Sequence, residues 1–215
     1  TIGTGTVTGA SRAAGVVGYV GAGNAAAPAN SDIPMGEIVV ENCVNYATIT
    51  SNWKASTHGT AGGICATYNA YADEGGSVTF QGNTNNGNVS GYYAAGICAS
   101  TFVNGGQMEV TFNNNTNNGT ITATGSSAAG VSVSRGTAAG IAATVQGANG
   151  TATYSLDGNK NTGAITSDGR AAGVVAVGDK YIVEFGESGN TNRGYVTGVT
   201  TVGGVVDQIL SASAV

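Results

Sequence analysis

The chain has 215 residues, and four small residue types, 37 Gly, 32 Ala, 27 Thr and 21 Asn, fill 117 of those positions. Only 9% of residues are charged, the net charge is -5, and Val plus Ile number 35 against 2 Leu. This excludes a helical domain, which draws on Leu, Glu, Lys, Gln and Arg, a collagen, which needs Gly at every third position, and disorder driven by charge or proline.

β-Branched residues dominate the apolar set and favour strands. The basic residues are scattered, so no footprint for nucleic acid is present. No apolar run approaches the roughly 20 residues of a membrane span.

In chain order, Gly5-Thr6-Val7-Thr8 and Ala14-Gly15-Val16-Val17 read as an opening repeat copy whose first strand is missing. A long corner from Tyr19 to Met35 follows and holds both prolines, Pro28 and Pro34. A unit then recurs: an apolar pair spaced by two, an Asn-rich bend, a strand opened by Val or Ile, a corner, and a small-residue strand. The apolar pairs are Ile38/Val40, Val78/Phe80, Val110/Phe112, Tyr154/Leu156 and Val183/Phe185. The bends read NTNNGNV from Asn83, NTNNGTI from Asn115, NKNTGAI from Asn159 and NTNRGYV from Asn190, with CVNYATI from Cys43 as a degenerate copy. The small-residue segments contain Gly63-Ile64, Gly96-Ile97, Gly140-Ile141, Gly173-Val174 and Gly204-Val205.

No unit carries enough apolar residues to enclose a core alone, so neighbours must stack. The expected fold is all-β: a parallel β-helix solenoid of about six coils, each of three short strands, forming one domain over residues 1–215. Residues two apart on an extended chain share a side. Asn45, Asn85, Asn117, Asn161 and Asn192 should therefore stack as one structural ladder, and Asn83, Asn115, Asn159 and Asn190 as another. Each amide carries donors and acceptors that can replace ladder partners lost at a bend. The bend glycines, Gly87, Gly119, Gly163 and Gly194, suit either a positive φ or a close backbone approach. Cys65 and Cys98 occupy equivalent positions. Their side chains point the same way, which suits a disulfide poorly, so free thiols are expected.

Asn42-Cys43-Val44-Asn45, Ala61-Gly62-Gly63-Ile64, and the Asn159 to Ile165 run with Ala172-Gly173-Val174 carry a resemblance. The pattern is similar to repeats of GLUG-motif and related adhesin-like surface proteins of bacteria. The resemblance implies a right-handed parallel β-helix, extracellular or at the cell surface. The chain opens on Thr1, and a processed or excised piece of a longer surface protein is expected.

Function should live on the corners. Thr50 to Thr60 contains Trp53, Lys54 and His58; Tyr92 and Tyr93 occupy the same corner one coil later. Together these aromatics could hold sugar rings, since Trp and Tyr join flat apolar area to a hydrogen-bonding end. The candidate ligand-binding residues are thus Trp53, His58, Tyr92 and Tyr93. Ala66 to Ser77 reads as an insertion with Tyr68, Tyr71, Asp73 and Glu74. Thr122 to Ala139 reads as another, with Arg135, and Asp168 with Arg170 as a solvated turn. His58 is the only histidine, and no clustered carboxylates emerge, so no catalytic residue, metal site or cofactor is expected. The reading is a non-catalytic adhesion module with a glycan or host-surface ligand. The alternatives are a polysaccharide-degrading β-helix enzyme, which rests on fold analogy alone, and a fibre subunit that associates end to end. Ice binding is disfavoured, because the sequence shows no single T-x-T column across the coils.

Overall fold

The computed structural model describes residues 1, 3–22, 36–53, 59–71, 76–104, 107–125, 135–148, 151–179 and 182–210. Within them the chain is all-β, a parallel solenoid in which each strand pairs with the strand five places later. Three sheets hold six strands and two hold five, because the opening winding contributes only Thr6–Gly9, Arg12–Ala14 and Val17–Ala22.

One winding shows the plan. Gly76–Gln81 lies in the first sheet, Thr84–Asn85 in the second, Val89–Gly91 in the third, Tyr93–Ala95 in the fourth and Cys98–Asn104 in the fifth. The pattern's three strands thus resolve into five. The Asn bend is itself a two-residue ladder, and the small-residue strand breaks in two at Gly96-Ile97. The break is tight: a Cβ on Gly96 would run into the Gly140 carbonyl and the Asn117 side chain. Only a residue without a side chain fits there.

The Asn columns stand as expected. In the inner column Nδ2 donates to the next Oδ1 from Asn45 to Asn85, from Asn85 to Asn117 and from Asn117 to Asn161, each at 2.8 Å, and from Asn161 to Asn192 at 2.7 Å. The second column runs from Asn83 to Asn115 at 3.1 Å, on to Asn159 at 3.0 Å and to Asn190 at 2.8 Å. Its amides also reach back to strand ends: Asn115 Nδ2 donates to the Phe80 carbonyl and Asn159 Nδ2 to that of Phe112, both at 2.8 Å. Backbone groups that leave the sheet at the bend therefore still have partners.

The bend glycines serve close approach. None has a positive φ, and a Cβ on Gly119 would collide with the Gly87 carbonyl. The left-handed positions lie just before the Asn motif, one per full winding: Asn42 at φ 52°, Gly82 at 63°, Asn114 at 52°, Gly158 at 62° and Gly189 at 68°. Only Gly and Asn hold that conformation readily, and only those two types occur there.

Inside, equivalent apolar residues stack. Phe80 and Phe112 lie 5.1 Å apart with planes inclined 10°. Ile49, Val89, Ile121 and Ile165 fill a second cluster against alanines of the fourth sheet. Full burial of such side chains contributes about 1.5–3 kcal/mol each. Cys65 and Cys98 pair in register, both buried and free. Burial pushes the Cys98 thiol up, and its contact with Cys65 adds to this.

Tyr68 corrects the sequence reading of an insertion at Ala66. Cys65–Tyr71 is a core strand, and Tyr68 is fully buried. Tyr154 enters the same core from the first sheet. Its hydroxyl lies 3.2 Å from Thr101 Oγ1 and donates to the Gln146 carbonyl at 3.1 Å. Burial pushes both phenols above their ordinary range.

Outward on the third sheet, Thr8, Thr50, Ser90, Thr122, Thr166 and Thr197 share one register position through all six windings. A hydroxyl column without a gap therefore exists where the sequence showed only isolated Thr pairs. Ser90 supplies the link.

Candidate functional site

The corner between the third and fourth sheets differs in length from winding to winding. After Thr48–Ser51 the chain leaves the ladder and rejoins it at Thr60–Gly62. In the next winding a single residue, Tyr92, joins Val89–Gly91 to Tyr93–Ala95. In the winding after that the excursion reaches from Thr124 to Gly136. The short Tyr92 corner thus sits between two long ones. The Gly59 carbonyl accepts from both Tyr92 N and Tyr93 N at 2.9 Å, and Thr137 N donates to the Tyr92 carbonyl at 2.8 Å.

Trp53 ends the described part of the first excursion and is 49% exposed. Its neighbour Asn52 ties the corner down, donating from its backbone to the Gly9 carbonyl at 3.0 Å. His58 and Lys54 lie outside the described residues. Tyr92 and Tyr93 meet edge to face, centroids 4.7 Å apart at 82°. Tyr92 is only 6% exposed, so its ring supports Tyr93, whereas Trp53 is half exposed.

Tyr93 stacks in register with Thr60 below and Thr137 above, and Arg170 follows Thr137. Burial pushes the Tyr93 phenol up to about 12. Tyr92 adds to the rise, and Arg170 pulls the other way. The column thus carries a half-buried phenol and, two windings on, a guanidinium, and the corner one winding before Tyr92 carries the half-exposed Trp53 indole. That combination suits a hydroxyl-rich ligand.

Asp168 corrects the reading of a solvated turn. Its carboxylate accepts from Gly125 N at 2.8 Å and from Gly136 N at 2.6 Å. Those two residues flank the stretch 126–134, so one side chain of the next winding closes the base of the long excursion. Ser167 assists: its hydroxyl donates to the Gly136 carbonyl at 2.8 Å. Tandem D-G sequences signal turns, but nothing in the sequence pairs Asp168 with glycines 43 and 32 residues earlier.

Asp73 and Glu74 lie outside the described residues. Among the described residues no group of three or more His, Cys, Asp or Glu side chains is placed to hold a metal ion, and no helix is long and apolar enough to cross a membrane. No family model, curated protein or solved structure matches the chain.

Proposed function

We propose that the chain is a non-catalytic extracellular adhesion module that binds glycans through the Trp53–Tyr93 corner. The observation that carries this reading is an indole left half exposed at 49% on a corner whose counterpart one winding on, at Tyr92, is braced from both neighbouring windings. An indole joins a flat apolar face to a hydrogen-bonding N–H, the combination that sugar rings meet. The rigid ladder supplies a fixed base, which lowers the ordering cost of binding. The likeness of the Asn-bend and AGG-I motifs to surface-protein repeats supports an extracellular setting.

A glycan array probed with the wild-type chain and with Trp53→Ala tests the reading. Glycan signals that disappear in Trp53→Ala support it. Signals that survive the substitution unchanged remove the aromatic corner, and an array without any signal removes glycan binding.

A further inference from the structure

The outward face of the second and third sheets carries a different set of side chains from the Trp53 corner. Tyr46 stands at its second winding, 48% exposed, and Tyr195 at its sixth, 87% exposed. Four winding steps of about 4.8 Å place these rings about 19 Å apart along the rod axis.

Between them lies a polar ladder rather than an apolar surface. Asn118 Nδ2 donates to Asn86 Oδ1 at 2.8 Å, and Thr162 Oγ1 donates to Asn118 Oδ1 at 2.6 Å. One column over, Thr120 N donates to Asn88 Oδ1 at 3.2 Å. A primary amide has two hydrogens and two lone pairs on its oxygen. The Asn118 ladder bonds use one of each, which leaves one of each for a ligand. The ladder bonds also fix the amide orientations before any ligand arrives.

Charge divides the same way. Among the described residues this face carries two cations, Lys160 and Arg193, both exposed, and no carboxylate. The neighbouring first sheet collects Glu37, Glu41, Glu109, Asp157 and Glu184. On a chain of net charge -5, these two cations without a facing carboxylate favour an anion on the face of Tyr46 and Tyr195, while the carboxylates of the first sheet disfavour one beside it.

We propose that this face is a second glycan platform, which holds an extended acidic polysaccharide along the rod axis. Sugar rings stack on Tyr46 and Tyr195, ring hydroxyls bond to the Asn86–Asn118 ladder, and a uronate carboxylate meets Arg193 and Lys160. Stacking at both ends selects a strand long enough to span them, and the two cations select uronate over neutral sugar. This assignment rests on the adhesion reading and names a ligand class and a second site for it.

Calorimetric titration of the 215-residue chain with hexagalacturonate, and with cellohexaose as the neutral probe, tests the platform. Wild type should bind hexagalacturonate, more weakly as salt rises, and should bind cellohexaose at least about tenfold more weakly. Tyr46→Ala and Tyr195→Ala should each weaken hexagalacturonate about tenfold. Arg193→Gln should weaken it and flatten the salt dependence. Circular dichroism checks that these exposed substitutions leave the fold intact. Hexagalacturonate binding untouched by both Tyr substitutions overturns the platform and leaves the adhesion reading standing. Equal binding of the neutral probe overturns the uronate assignment. A wild-type chain that binds no glycan here or on the array removes both readings.

Discussion

Asn117 donates from Nδ2 to Asn161 Oδ1 at 2.8 Å, and the same nitrogen donates to the Gly119 carbonyl at 2.9 Å. Its own Oδ1 accepts from Asn85 at 2.8 Å. One fully buried side chain therefore satisfies polar groups on three windings, and its loss strands all of them at once.

Asn117→Ala should accordingly destabilise by about 2–5 kcal/mol, since each buried group left unpaired costs about 1–3 kcal/mol. Asn86→Ala, in the outer ladder, should cost under about 0.5 kcal/mol because water replaces the lost bond. Urea unfolding of both variants measures the contrast. Equal midpoints would contradict the buried ladder.

The core stack gives a second expectation. Phe112 lies in register between Phe80 and Leu156, and Phe112→Ala should cost about 3–5 kcal/mol. Phe112→Leu, which matches the residue one winding on, should cost far less. Thermal melts distinguish the two.

Asp168→Asn should leave the ladder intact but loosen the base of the long corner. The carboxamide keeps one acceptor oxygen for two N–H groups, and bonds to a charged acceptor contribute about 1.5–3 kcal/mol. Limited proteolysis should cut the variant within 126–134 faster than wild type, with a smaller shift in the global melt. Identical cleavage rates would mean that the clamp does not hold the corner.

Alkaline pH should unfold the protein through its buried phenols. The folded pKa of Tyr93 lies above the ordinary 10.0, at about 12, and burial raises Tyr68 and Tyr154 as well. Above pH 10 the unfolded chain releases these protons more readily than the folded one, so the stability they contribute is complete below pH 10. It falls as pH rises toward 12. Phenolate absorbance from these residues should therefore appear together with loss of the far-ultraviolet strand signal. Phenolate absorbance accounting for all nine tyrosines while that signal stays native would contradict the burial of Tyr68 and Tyr154.

Thiol labelling offers a simple check on the core. Cys65 and Cys98 are fully buried, and Cys43 is half-buried with Sγ 3.3 Å from the Glu41 carbonyl. A disulfide reagent should leave Cys65 and Cys98 unmodified in the native chain and modify all three cysteines after denaturation. Native labelling at Cys98 would place it outside the core.

The amino-acid sequence by itself determined the winding and its inward columns. Burial restricts inward positions to a few residue types, and strand alternation puts residues two apart on one side, so Asn85 above Asn45 and Phe112 above Phe80 were legible from spacing alone. The left-handed corners at Asn42 and Gly82 carried a signal too, a Gly or Asn just before each bend. Only the tertiary structure decided the outward faces. It buried Tyr92 and left Trp53 half exposed, brought the Asp168 carboxylate onto Gly125 and Gly136, turned Tyr68 inward, and set Tyr46 and Tyr195 four windings apart on adjacent columns of one polar face. Apart from the hydroxyl column of the third sheet, outward positions tolerate many residue types and repeat little pattern, and corner excursions of unequal length hide which of them meet until the windings are stacked.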